Sequence, residues 1–116
     1  MLQSMNPMDV MMLAMDSPQT PMHVAGVQIL RIPRGAGRDY VRKLREQLMS
    51  IPVSGAPFNY KYASGGLLPG MPAWNVLDEV DLRAHVFHHA LPWPGTEKEL
   101  FELVSRLNSG VLDRSR

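Results

Sequence analysis

The sequence has 116 residues, a length that allows at most one domain with a modest core. Twelve basic residues against eleven acidic ones leave a formal charge of +1, so electrostatics give no reason to expect a nucleic-acid partner. Cysteine is absent, which excludes disulfides and thiol chemistry and fits a reducing, cytoplasmic setting.

In chain order, the first fifteen residues carry no Lys or Arg, and Pro7 and Asp9 interrupt the apolar run, so the start does not read as a signal peptide. No segment approaches the roughly 18 apolar residues of a membrane-spanning helix, and any membrane contact is expected to be peripheral. Asn6 can cap a short helix with Pro7 in its first position. Met8, Met11, Met12 and Met15 follow at i, i+3, i+4, i+7 and predict one apolar face. That face is expected to pack on a core; its alternative use is an adaptable surface for a lipid chain or a partner. "SPQTP" is a turn. "MHVAGVQIL", Met22 to Leu30, reads as a central strand covered on both sides, because apolar residues fall on both of its faces. Gly26 within it suggests the close approach of another element or a ligand.

After the loop "PRGAG", Asp39 can cap a helix running to about Met49, with Val41, Leu44 and Leu48 as its buried stripe. Leu44→Asp is then expected to detach it. Residues 50 to 73 are irregular by composition, with "FNYKY" as a possible short strand. "SGGLLPG" is a loop that lacks a GK[ST] ending and a strand-to-helix setting, so it is not read as a phosphate cradle. "VDLRAHVFHHAL", Val80 to Leu91, is the strongest strand signal, with Val80, Leu82, Ala84 and Val86 alternating against Asp81, Arg83, His85 and His89. "PWPG" breaks it. Thr96 and Glu99 match a capping box, and Leu100, Leu103, Val104 and Leu107 form the buried stripe of the helix that follows, with Gly110 as a plausible stop. Helices and strands in this order predict part of an α/β layered domain.

Three of the four histidines, His85, His88 and His89, cluster before "ALPW". Zinc needs three or four convergent ligands, and strand alternation turns His88 away from His85 and His89, so no metal site is read here. His88 is the best general-base candidate of the three, but a base needs a pocket and an orienting partner, and a solvated strand-end histidine is the plainer reading. His23, on the expected central strand, is read as buried and hydrogen-bonded. Residue chemistry alone therefore yields an α/β segment without a complete catalytic site.

Several segments together resemble one family. "NPMDVMMLAMDSPQTPMHVAGVQIL" is similar to the opening of bacterial wax ester synthase/diacylglycerol acyltransferases, carried by Pro7, Asp9, Asp16, Pro21, Met22, His23, Val24 and Gly26. "HHALPWPG" resembles that family's ALPxPG, at Ala90, Leu91, Pro92, Pro94 and Gly95, and "LVSRLNSGVLDRSR" resembles the helix and turn after it. Asp16 stands where Glu is usual, and Ala25 where a second Gly is common. The resemblance implies the N-terminal part of the first domain, residues 1–116, of a two-domain fold similar to chloramphenicol acetyltransferase and other CoA-dependent acyltransferases. It implies transfer of a fatty acyl group from acyl-CoA to a long-chain alcohol or a diacylglycerol, with no bound cofactor or metal. The family's His-His-x-x-x-Asp-Gly motif is expected after Arg116, because no Asp-Gly follows His88 and His89. Residues 1–116 alone are thus expected to be inactive and to look like a cut chain, with the remainder of the polypeptide as partner. Met22, His23 and Gly26 are expected near the substrate channel, and the hydrophobic substrates make contact with the inner membrane or lipid droplets plausible. The competing reading is a non-catalytic α/β module that binds lipid or a partner.

Overall fold

The structure is a computed structural model, and it describes residues 1–65 and 68–115. Gly66 and Leu67 of the "SGGLLPG" loop, and Arg116, lie outside the described residues.

The three expected helices form. Helix α1 spans Pro7–Met15, where the Asn6 side chain accepts the Asp9 backbone N–H at 2.8 Å and so satisfies one orphan donor of the first turn. Helix α2 spans Tyr40–Met49. Asp39 precedes it but makes no side-chain cap; its carboxylate pairs with Lys43 at 2.8 Å and Arg42 at 3.4 Å along the helix surface. Helix α3 spans Glu97–Asn108 and starts with the expected capping box, in which the Glu99 carboxylate accepts the Thr96 backbone N–H at 2.8 Å. Gly95 enters this helix at φ +71°, a conformation glycine adopts without strain. The helix ends two residues before Gly110, which has no positive φ.

The sheet corrects the sequence reading. Its strands are β1 (Leu2–Ser4), β2 (Tyr60–Ser64) and β3 (Pro72–Val76), antiparallel in the order β1-β3-β2. Gln3 and Tyr62 flank Trp74, while Ser4 and Ala63 flank Ala73. Alternation therefore puts Tyr60, Tyr62, Trp74 and Val76 on one face and Ala73 and Asn75 on the other. β2 is the expected "FNYKY" strand shifted toward its C-terminal side; β1 and β3 carried no clear signal.

The two strongest strand expectations do not hold within this chain. Residues 22–30 form no helix or strand, and His23 to Arg31 form no backbone hydrogen bond with other described residues. Their apolar side chains are open to solvent, with Val24 98% and Leu30 81% exposed, the reverse of a strand covered on both sides. Residues 80–91 hold one short 3-10 turn, Leu82–Ala84, and no ladder. The physical reason is the same for both. A strand exists only where a neighbouring strand takes its backbone groups, and no described segment pairs with either one.

Helix faces depart in a related way. Met8, Met11, Met12 and Met15 are all exposed, so that face does not pack on a core. Val41, Leu44 and Leu48 of α2 are exposed too, and Leu44→Asp therefore has no packed face to break within this chain. In α3, Leu100, Leu103 and Val104 are half-buried and Leu107 is exposed. Ala73 is the one buried hydrophobic residue among those described, and Asn59, which donates to the Leu77 carbonyl at 2.9 Å, is the one buried polar residue. The radius of gyration is 17.7 Å, against about 13 Å for a compact domain of this length. Helices and sheet thus form an open α/β frame rather than a closed layer.

Candidate functional site

A cleft of about 660 Å³ opens between α1, the Trp74 face of the sheet and the last described residues. On α1 and its C-cap, Asp9, Met12, Leu13 and Asp16 line it, one helical face at i, i+3, i+4, i+7. This face is rotated about one residue from the methionine stripe read in the sequence and shares only Met12 with it. Two polar ties set the rotation. Trp74 Nε1 donates to Asp9 Oδ2 at 3.3 Å, and Arg114 donates to Asp16 Oδ2 at 2.8 Å.

The sheet supplies Tyr60, Tyr62 and Trp74. Tyr60 and Trp74 lie diagonally across the ladder, with ring centroids 6.0 Å apart and planes inclined by 27°. Ala84, His85 and Phe87 add a further wall, and Leu112, Asp113 and Arg114 close the cleft. Met12, Leu13, Met22, Phe87 and Leu112 make much of the wall apolar, so the space suits a hydrocarbon-bearing molecule more than a charged one.

Arg114 is the centre of the polar corner. Its Nη2 also donates to the Leu13 carbonyl at 3.0 Å, and its guanidinium lies 5.9 Å from the Tyr62 ring centroid. Asp16 is 12% exposed and accepts the Met22 backbone N–H at 2.9 Å through its other oxygen. One residue thus orders three segments that are far apart in sequence. The Arg114 guanidinium, and then the Met22 N–H, hold the Asp16 carboxyl below the usual carboxylate range. A depressed acid stabilises the folded state above its unfolded value, near 4, and this contribution is lost as pH falls through the lower folded value. Asp16→Asn is therefore expected to lower the melting temperature at pH 7, with the gap to the parent closing as pH drops below about 4. Paired thermal melts from pH 7 to pH 3 check this; a gap that persists unchanged at pH 3 contradicts it.

Of the residues singled out in the sequence, Met22 and His23 line the cleft and Gly26 does not. A Cβ added at Gly26 would meet nothing within 4 Å, so no close approach by the described residues explains this glycine. His23 is half-buried, less enclosed than expected of a central strand. Its Nε2 lies 3.0 Å from the Asn108 carbonyl oxygen, and its Nδ1 is buried with no partner among the described residues. His85 lines this cleft and a second cavity of about 560 Å³ beside Val53, Phe58 and Leu82. His88 and His89 are exposed and line neither. Among the described residues, no three His, Asp or Glu side chains gather as metal ligands, and no helix is long and apolar enough to cross a membrane. Sequence reasoning did not find Trp74, Tyr62 or the role of Arg114. Arg114 lies 98 residues from Asp16, and no local pattern announces such a pair.

A family model described as "Wax ester synthase/diacylglycerol acyltransferase catalytic domain" matches residues 5–116. A probable diacylglycerol O-acyltransferase of Mycobacterium tuberculosis is 38% identical over 112 residues, 97% of this chain and 25% of that protein. The O-acyltransferase WSD of Acinetobacter baylyi is 35% identical over 118 residues, covering 99% of this chain and 24% of its own length. Among solved structures, the wax ester synthase/diacylglycerol acyltransferase of Marinobacter aquaeolei superposes with a TM-score of 0.85 at 38% identity, over 98% of this chain and 28% of that one. The chain spans about a quarter of the length of these curated relatives.

Proposed function

The chain belongs to the wax ester synthase/diacylglycerol acyltransferase family, and on that premise we propose that residues 1–116 are the N-terminal part of the first domain of an acyl-CoA-dependent O-acyltransferase. The acyl group moves from acyl-CoA to a long-chain alcohol or a diacylglycerol. The observation that carries this reading is the superposition on the Marinobacter enzyme, which follows nearly the whole of this open frame at 38% identity. In this reading the His-His-x-x-x-Asp-Gly motif lies beyond Arg116. Its second His takes the hydroxyl proton, the hydroxyl oxygen attacks the thioester carbonyl, and the CoA thiolate leaves. A placed base contributes roughly 10²–10⁴-fold, and holding the two substrates together contributes much of the rest.

The contribution of this chain is then the frame and one wall. The open segment 22–30 and the exposed faces of α1 and α2 are surfaces on which the remainder of the polypeptide packs. Met22 and His23, and Gly26 further along the same segment, stand beside the substrate channel. A cytoplasmic protein with peripheral contact at the inner membrane or at lipid droplets suits substrates of this kind.

The test is a chimera in which residues 1–116 replace the matching part of the Marinobacter enzyme. Thiol release from palmitoyl-CoA and ester formation with a long-chain alcohol are measured together. The reading expects both in equal amounts; a folded chimera that releases thiol without forming ester contradicts it.

A further inference from the structure

Tyr60 and Tyr62 share the cleft face of β2, two residues apart, or roughly 7 Å along an extended strand. Both rings are held. Tyr60 stacks on Trp74 with 6.0 Å between centroids, and the Arg114 guanidinium lies 5.9 Å from the Tyr62 ring centroid. A phenyl ring would make either contact, so neither contact needs the hydroxyl. Both residues are half-buried, and neither hydroxyl is enclosed or hydrogen-bonded among the described residues. Two other donors on this wall are already engaged, Trp74 Nε1 with Asp9 and Arg114 Nη2 with Asp16 and the Leu13 carbonyl. The cleft thus offers two placed, unused O–H donors beside apolar side chains. It also shares His85 with the second cavity, which is walled by Val53, Phe58 and Leu82.

We propose that this cleft receives the acyl acceptor as a diacylglycerol, with the Tyr60 and Tyr62 hydroxyls donating to its two ester carbonyls, and that the pair selects diacylglycerol over a simple long-chain alcohol. This rests on the acyltransferase reading and adds to it an acceptor and two specificity-determining residues. A phenol O–H donates readily to a carbonyl oxygen. The two ester carbonyls of a diacylglycerol can spread over a distance like the spacing of the two tyrosines, so both donors are answered at once. A simple alcohol has a single oxygen. Bound in the cleft, it takes water from both phenols and answers one at most, which costs affinity. Acyl-CoA presents one thioester carbonyl to the pair and leaves the other phenol unanswered. Chain number agrees: one chain of a diacylglycerol lies along Met12, Leu13 and Phe87, the other enters the second cavity, and the two part at His85. The acceptor's own hydroxyl stays free for the base of the histidine motif. Tyr60 and Tyr62 act on binding and not on the reacting atoms, so their effect falls on the KM for the acceptor and not on kcat.

The experiment compares the chimera with its Tyr60→Phe, Tyr62→Phe double variant, which keeps both rings and removes both hydroxyls. Each is given palmitoyl-CoA with 1,2-dioctanoylglycerol or with 1-decanol. The KM for dioctanoylglycerol is expected to rise roughly tenfold in the variant, the worth of the two lost hydrogen bonds. The KM for palmitoyl-CoA, kcat and the melting temperature stay as in the parent, and the KM for decanol does not rise. An unchanged KM for dioctanoylglycerol, an equal rise for both acceptors, a rise as large for palmitoyl-CoA, or a parent chimera that esterifies decanol but not dioctanoylglycerol overturns the proposal. If the chimera forms no ester with either acceptor, it is the acyltransferase reading that has failed, and calorimetry with dioctanoylglycerol decides the role of the two hydroxyls. Binding that the variant weakens about tenfold supports that role; equal binding by parent and variant, or none, overturns it.

Discussion

Trp74→Ala is expected to destabilise the chimera by about 2–3 kcal/mol, below the cost of emptying a fully buried tryptophan site because this ring is half-buried. Three losses combine. Trp74 is on the central strand, between Gln3 and Tyr62, so its removal weakens both ladders of the sheet. Its ring leaves the Tyr60 stack. Its indole N–H no longer reaches Asp9, and α1 loses its tie to the sheet. Trp74→Phe separates these contributions, because it keeps most of the stack and forfeits the N–H, for about 1 kcal/mol. Denaturant unfolding monitored by circular dichroism measures both. An alanine variant no less stable than the phenylalanine variant would show that the packing argument is wrong.

Arg114→Ala is expected to lower the melting temperature more than any other single substitution at the cleft's polar corner. It leaves the Asp16 carboxylate, mostly enclosed, without its cation, and leaves the Leu13 carbonyl without its donor. Surface ion pairs are worth little, but this one is not a free surface pair: the same guanidinium also covers the Tyr62 ring. Arg114→Lys keeps the charge but not the longer, planar guanidinium whose Nη2 bonds both Asp16 and the Leu13 carbonyl and which lies over the Tyr62 ring, so it should fall between parent and alanine. Asp16→Asn combined with Arg114→Ala should cost less than the two changes added, since each removes the same contact. Melting temperatures of the four proteins check this, and strict additivity would contradict it. Loss of this tie is also expected to disturb Met22, whose backbone N–H is held by Asp16, and through it the neighbouring His23.

The contrast between helices and strands explains what the sequence showed and what it hid. A helix satisfies its backbone within its own span, and its ends are marked by nearby side chains. Asn6 before α1 and Thr96 with Glu99 before α3 are such marks, and all three helices form with ends close to those read. A strand depends on a partner that can be anywhere in the chain. "MHVAGVQIL" carries apolar residues on both faces and "VDLRAHVFHHAL" a strong alternation, yet neither finds a partner among the described residues. The short "LQS" and "PAWNV" carry weak signals and pair well, because Trp74 and Ala73 lie opposite Gln3 and Ser4 at the far end of the sequence.

Faces follow the same logic. Helical spacing of apolar residues picked out the methionine stripe of α1, while Asp9 and Asp16 turn a neighbouring face inward through contacts with Trp74 and Arg114. The site was legible only in part. His23 could be noticed from its place in an apolar run, but its unfilled Nδ1 depends on Asn108, 85 residues away. The histidine pair His88 and His89, the most conspicuous letters in the chain, stands in solvent away from both cavities. The family resemblance read from Pro7, Asp9, Met22, His23 and the "ALPWPG" turn agrees with the family model over residues 5–116.

The central claim is that this chain supplies frame and substrate wall to an acyltransferase whose base lies elsewhere in the polypeptide. One ester-formation assay tests it most directly, with palmitoyl-CoA and a long-chain alcohol offered to three samples. These are residues 1–116 alone, the Marinobacter enzyme lacking its matching part, and the chimera that joins them. The account predicts ester from the chimera only. Ester from residues 1–116 alone would contradict it, because no residue of this chain is assigned the role of base.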